Sequence, residues 1–85
     1  MTTQKKYYAV VAKNGVAVFN SRERFENAKK YLTQPTFRVF HNYTEAAQYA
    51  MGKFNQTLPK GYRQVWHLDV NRIIFKNDLQ TNLIF

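Results

Sequence analysis

The stretch KKYYAVVAKNGVAVFNSRERF, residues 5–25, decides how this chain is to be read. Residues 7–12, YYAVVA, and 16–19, VAVF, are β-branched and aromatic with no helical spacing, so each reads as a strand. Asn14-Gly15 stands between them, and both residue types tolerate the positive φ of a type I′ turn, so a hairpin is expected. From Asn20 onward the period changes, with Phe25, Ala28 and Leu32 at i, i+3 and i+7 forming one apolar helical stripe. Asn20 or Ser21 can cap that helix, and Asn20 with Glu23 has capping-box spacing. Pro35 disfavours helical geometry at Gln34, so the helix is expected to end near Thr33.

Beyond this stretch, residues 36–41, TFRVFH, read as a third strand. NYTEAAQYAMGKFN follows, with Asn42 and Glu45 again at capping-box spacing. Ala47, Ala50, Met51 and Phe54 then lie on one helical face. Gly52 weakens the last turn by roughly 1 kcal/mol relative to Ala. QTLPKG, residues 56–61, has the composition of a linker. After it, YRQVWHLDV and RIIFK form either a second hairpin around Asn71 or a strand followed by irregular chain. The final NLIF is apolar and is expected to dock on the core or on another chain. There is no internal repeat and no low-complexity run.

The expected fold class is therefore α+β: a small three-stranded antiparallel sheet with two helices packed on it, in the order β-β-α-β-α, plus a C-terminal extended or hairpin extension. Residues 1–55 make the domain, and 56–85 are an extension that docks on the same core or on a partner. Eighty-five residues suit one modest core, and 45% hydrophobic residues are too many for a disordered chain.

Composition also bounds the chemistry. The chain has no cysteine, which excludes a disulfide framework, a thiolate nucleophile and a zinc finger. Glu23, Glu26, Glu45, Asp69 and Asp78 are scattered over different elements and offer no carboxylate pair. Glu26 precedes Lys30 by four residues, the favourable order for a helical ion pair. His41 and His67 have no companion at metal-ligand spacing, and alternation would set His67 opposite Trp66 and Leu68. Ser21 is the single serine, and no GxGxxG or Walker pattern is present. No enzyme activity, metal or cofactor is expected. The apolar run after Lys5-Lys6 stops at Lys13, too short for a secretory signal, and nothing approaches a membrane span. A cytoplasmic protein without a membrane partner is expected.

What remains is charge and rings. Thirteen Lys and Arg stand against five acids, a formal charge of +8. The excess lies early, with eight bases and two acids in residues 1–38 and five bases and three acids in residues 39–85. A charge of this size also serves solubility alone. Cations interleaved with aromatics are the pattern of a nucleic-acid surface, with phosphates taken by the first and bases or sugars by the second. A fold this small also needs rings for its core, and Tyr8, Phe19, Phe25, Phe40 and Phe54 are expected there. Tyr7, Phe37 and Tyr43 are the rings closest to an even balance between core and surface.

YYAVVAKNG, VFNSRERF and FRVFHNYTEAAQYA together resemble the small domain at the N-terminus of eukaryotic-type ribonucleases H, shared with the caulimovirus inclusion-body protein viroplasmin. The likeness covers about residues 6–51. It runs through the aromatic-Tyr-Ala-Val strand at Tyr7, Tyr8, Ala9 and Val10 and the basic loop at Lys13, Asn14 and Gly15. It continues through the junction Val18, Phe19, Asn20 and Ser21, then Phe37, Arg38, Val39, Phe40, Glu45 and Ala46. The family's junction Trp is replaced by Arg22, or by Ser21 with a one-residue slip, and the second Lys of its third strand by Val39. The resemblance implies a three-stranded sheet with two helices and binding of RNA/DNA hybrid or double-stranded RNA across the minor groove, the shape-reading mode suited to A-like duplexes.

The leading expectation is a non-catalytic duplex-binding module using Lys5, Lys6, Tyr7, Lys13, Arg22, Phe37 and Arg38. The alternative is a protein-interaction module, an adaptor or an inhibitor of the kind mobile elements encode, whose basic face meets an acidic protein. Trp66, Ile74, Phe75 and Phe85 would anchor that partner or a homodimer formed through the C-terminal segment.

Overall fold

The computed structural model describes residues 5–80. Its elements are β1 (Tyr7–Val11), β2 (Gly15–Phe19), α1 (Arg22–Ala28) continued by a 3₁₀ turn (Lys29–Tyr31), β3 (Thr36–Phe40), α2 (Tyr43–Thr57), β4 (Arg72–Phe75) and a second 3₁₀ turn (Lys76–Leu79). They form an α+β arrangement with an antiparallel sheet in the order β3-β1-β2-β4. The sheet thus has four strands rather than the three expected. β4 pairs with β2, setting Val16 against Ile74 and Ala17 against Ile73. No second hairpin forms around Asn71. That residue takes φ 64°, and its N–H donates to Val18 O at 2.6 Å, so it steers the chain onto β2.

Each helix takes one face of the sheet. α2 buries Ala46, Ala47, Ala50 and Phe54 against Ala9, Val16 and Val18, and Val65, Leu68 and Leu79 close the same cluster. On the other face Phe25, Ala28 and Leu32 pack on Val10, Ala17 and Phe19. The alanines allow close approach of helix and sheet, while Phe54, fully buried, fills the centre and contributes roughly 1.5–3 kcal/mol of burial. Asn42 caps α2 by accepting from Glu45 N at 3.2 Å.

The hairpin differs from the expected type I′ turn. Ala12 N donates to Gly15 O at 2.8 Å, so the loop residues are Lys13 and Asn14, and neither Asn14 nor Gly15 takes a positive φ. Gly15 is needed for space instead: a Cβ there would stand 3.1 Å from Ile74 O and 3.2 Å from Leu32 Cδ2. Asn14 ties three segments together. Its amide donates to Tyr31 O at 3.0 Å, its side-chain oxygen accepts from Thr33 N at 2.8 Å, and its backbone oxygen accepts from Lys76 N at 2.7 Å.

α1 is shorter than its periodicity suggests. It ends at Ala28, the chain tightens into the 3₁₀ turn, and Gln34 takes φ 48° just before Pro35. Ser21 occupies the N-cap without a side-chain cap bond, and Asn20 is engaged elsewhere. Asn20 N donates to Asn71 Oδ1 at 3.1 Å, and Asn71 Nδ2 donates to Asn20 Oδ1 at 2.9 Å. The segment from Leu58 to Asn71 has no regular strand, yet Asn55 holds it as a strand partner would. Its amide donates to Val65 O at 2.9 Å and its oxygen accepts from Val65 N at 2.8 Å. Val65 and Leu68 point inward, which leaves both Trp66 and His67 outside rather than on alternating faces.

Candidate nucleic-acid interface

The register of β1 with β3 sorts the expected site residues. Tyr8 pairs with Val39 and Val10 with Phe37, so these share the α1 face. Tyr7 pairs with Phe40 and Ala9 with Arg38, so these share the α2 face. Because α1 spans only seven residues, it cannot cover the β3 end of its own face. An open groove of about 360 Å³ remains there, lined by Lys6, Tyr8, Arg22, Phe25, Glu26, Lys29, Phe37 and Val39.

Its floor is aromatic. Tyr8 stacks on Phe25 with centroids 5.4 Å apart, and Phe25 meets Phe37 at 4.7 Å. Phe25 is buried, whereas Phe37 is 52% exposed, so its ring is the accessible apolar surface. Cations stand around it. Lys29 Nζ lies 5.2 Å from the Phe25 centroid and 3.1 Å from Glu26 Oε1, and Arg22 Nε lies 3.6 Å from Glu26 Oε2. The Lys29 hydrogen bond, aided by Arg22, holds the Glu26 carboxyl below its ordinary pKa. Lys30 is not the partner of Glu26, since the 3₁₀ turn brings the i+3 residue over that side chain instead.

Of the expected nucleic-acid residues, Lys6, Arg22 and Phe37 are brought together. Arg38 lies on the opposite face, its guanidinium 5.7 Å from the Phe40 ring and 5.6 Å from Tyr49. Tyr7 is half-buried there, edge-on to Tyr43 at 6.1 Å. Burial, with a smaller contribution from Asp69, raises the Tyr43 hydroxyl. Lys13 sits at the hairpin tip beside Gln34 and Lys76, and Lys5 is exposed, its carbonyl 3.2 Å from His41 Nδ1. Tyr8, Phe25, Glu26, Lys29 and Val39 line the groove without having been among the expected site residues. The helical period would have brought in Lys29, which is three residues beyond Glu26 and seven beyond Arg22.

The expected partner residues also divide. Trp66, 79% exposed, and Ile74 line a second groove of about 410 Å³ with Arg63, His67, Asp69 and Arg72. In it Asp69 is held by His67 Nε2 at 2.8 Å and by Arg72 Nη1 at 3.6 Å. Phe75 pairs with Gly15 and belongs to the α1 face, and Phe85 lies outside the described residues. Among the described residues no group of three or more His, Cys, Asp or Glu is placed to hold a metal ion, and no helix is long and apolar enough to cross a membrane. Comparison with protein-family models, with curated proteins and with solved structures finds no match to this chain.

Proposed function

We propose that this chain is a non-catalytic nucleic-acid-binding module that grips a duplex, RNA/DNA hybrid or double-stranded RNA, at the groove beside α1. The observation that carries this reading is the half-exposed Phe37 ring with Lys6, Arg22 and Lys29 gathered around it. Such a ring offers a sugar or base an apolar face while the cations meet flanking phosphates. The resemblance of residues 6–51 to the N-terminal domain of ribonucleases H supports the same ligand class. Arg22, at the position of that family's Trp or one residue beyond it, would supply a phosphate contact in place of a stacking one.

Fluorescence anisotropy of labelled hybrid, double-stranded RNA, double-stranded DNA and single strands, at about 50 and 200 mM salt, tests it. Hybrid or double-stranded RNA is expected to bind most tightly and to persist at the higher salt. Arg22→Ala should lower the salt slope by roughly 0.7–0.9, while Arg38→Ala, on the other face, should change it less. Equal, weak binding to every polyanion would sink the reading.

A second reading has its own observation. Trp66 is exposed beside Ile74 in the other groove, the type of residue that anchors protein partners. A protein-interaction module on that side predicts that Trp66→Ala abolishes capture of an acidic partner and leaves nucleic-acid affinity unchanged.

A further inference from the structure

Among the described residues β3 ends the sheet, and the hydrogen-bond phase of the hairpin fixes which of its backbone groups look outward. Ala12 N donates to Gly15 O, so Ala12, Val10 and Tyr8 direct their backbone groups at β2. Tyr7, Ala9 and Val11 therefore direct theirs at β3, where they meet Phe40, Arg38 and Thr36. The N–H and C=O groups of Phe37 and Val39 are left facing away from the sheet. β2 shows the same phase from its other side, because Val18 O and Asn14 O accept from Asn71 N and Lys76 N.

The side chains flanking this edge are unusual for a protected one. Phe37 and Val39, at 52% and 40% exposure, form an apolar pair on the α1 face, bordered by Lys6, Arg22 and Lys29. Arg38 emerges between them on the α2 face, and Lys53 Nζ lies there 5.9 Å from the Tyr49 ring. Neither Arg38 nor Lys53 forms an ion pair with a carboxylate among the described residues. The edge thus offers apolar, cationic, apolar positions in sequence, with further cations on both faces.

We propose that β3 accepts an extended acidic segment of a partner protein as a fifth strand. Apolar side chains of that segment lie against Phe37 and Val39 and an acidic one against Arg38, with acids at either end. A second copy of this chain does not fit. The antiparallel pairing that uses both outward residues sets Phe37 against Val39 and places Arg38 opposite its own copy, between chains each carrying +8. This inference shares Phe37 and Val39 with the proposed duplex groove, but it adds the strand's outward backbone groups and Arg38, which that groove does not use.

The test uses the full chain and the peptide Glu-Glu-Val-Glu-Val-Glu-Glu, blocked at both ends. Controls carry the two valines together at one end or lysine in place of glutamate. NMR-detected amide exchange reads the edge directly. With the alternating peptide, the Phe37 and Val39 amides are expected to gain protection, and neither control should produce it. Val39→Pro removes an outward donor without touching the bonds to β1 and should weaken the peptide roughly 2- to 10-fold, the loss of one interstrand hydrogen bond. Arg38→Ala, outside the duplex groove, should likewise weaken the peptide while labelled RNA duplex binds nearly as before. Equal binding of the clustered-valine peptide would reduce the effect to charge attraction and overturn the proposal, as would unprotected amides at saturation. Protection that rises with protein concentration in the absence of peptide would replace the partner strand with a second copy. Should Val39→Pro fail to fold, the amide readout on the unaltered protein still decides.

Discussion

β2 and β3 are both five residues long, and their sequences, GVAVF and TFRVF, share the last two residues. All five residues of β2 are buried, while four of β3 are exposed and the fifth is half-buried. The difference lies in their neighbours. β2 runs between β1 and β4 with a helix on each face, whereas β3, among the described residues, has one strand beside it and an α1 too short to reach across it. Position in the sheet, rather than the letters of the strand, decides whether a Phe serves the core or a ligand.

The strongest way to break this comparison is to truncate one ring from each environment. Phe54→Ala, in the cluster under β2, should cost about 3–5 kcal/mol, whereas Phe37→Ala on β3 should cost under about 1.5 kcal/mol. Urea midpoints check both, and comparable losses would mean that β3 is as much core as β2. Gly15→Ala is expected next, at about 1–3 kcal/mol, because the new Cβ meets the Ile74 backbone rather than the free end of a flexible side chain. Gly15 has no positive φ, so any destabilisation there is steric, and a neutral outcome would show that β4 can give way.

Asn55→Ala should cost about 1–3 kcal/mol, since it leaves both backbone groups of Val65 without their partner. Faster amide exchange at Val65, with β3 unchanged, would place that cost in the segment after α2. Gly52→Ala has the opposite sign. Nothing lies within 4 Å of the added Cβ, so the helix should gain about 0.5–1 kcal/mol, read as a higher thermal midpoint.

The smallest expected effect concerns the groove. Glu26→Gln frees Lys29 and Arg22 and should raise affinity for an RNA duplex about twofold at low salt, with the gain fading as ionic strength rises. The sign with pH follows from the lowered carboxyl. Its contribution to stability is present above its unfolded-state pKa and is lost as pH falls through the folded one. A loss of duplex affinity in Glu26→Gln would mean that the pairing orients the cations rather than occupying them.

Much of the fold was legible because local rules and tertiary packing agree. The hydrophobic period put Phe25, Ala28 and Leu32 on one stripe and Ala47, Ala50, Met51 and Phe54 on another, and all are buried except Met51, which is half-buried. Asn42 caps as its spacing suggested. Asn14-Gly15 was less legible, since the dipeptide has a strong local meaning that was overridden by the close approach of β4 and Leu32. Asn20 is a good cap by type, yet it pairs with a residue fifty-one positions away. The candidate site was half-legible for a related reason. Lys6, Arg22 and Phe37 come from three elements, and only the β1-β3 register shows that Arg38 faces away from them.

The sequence by itself determined the α+β class, the hairpin, the third strand, both helices and the early excess of positive charge, because these depend on period, propensity and composition over a few residues. Only packing between distant segments settled that Arg72–Phe75 joins β2 as a fourth strand, that each helix takes a different face, and that, among the described residues, the β3 edge and an aromatic groove stay open. Those outcomes depend on contacts between distant segments, where the same apolar strand is equally well satisfied by several partners until packing selects one.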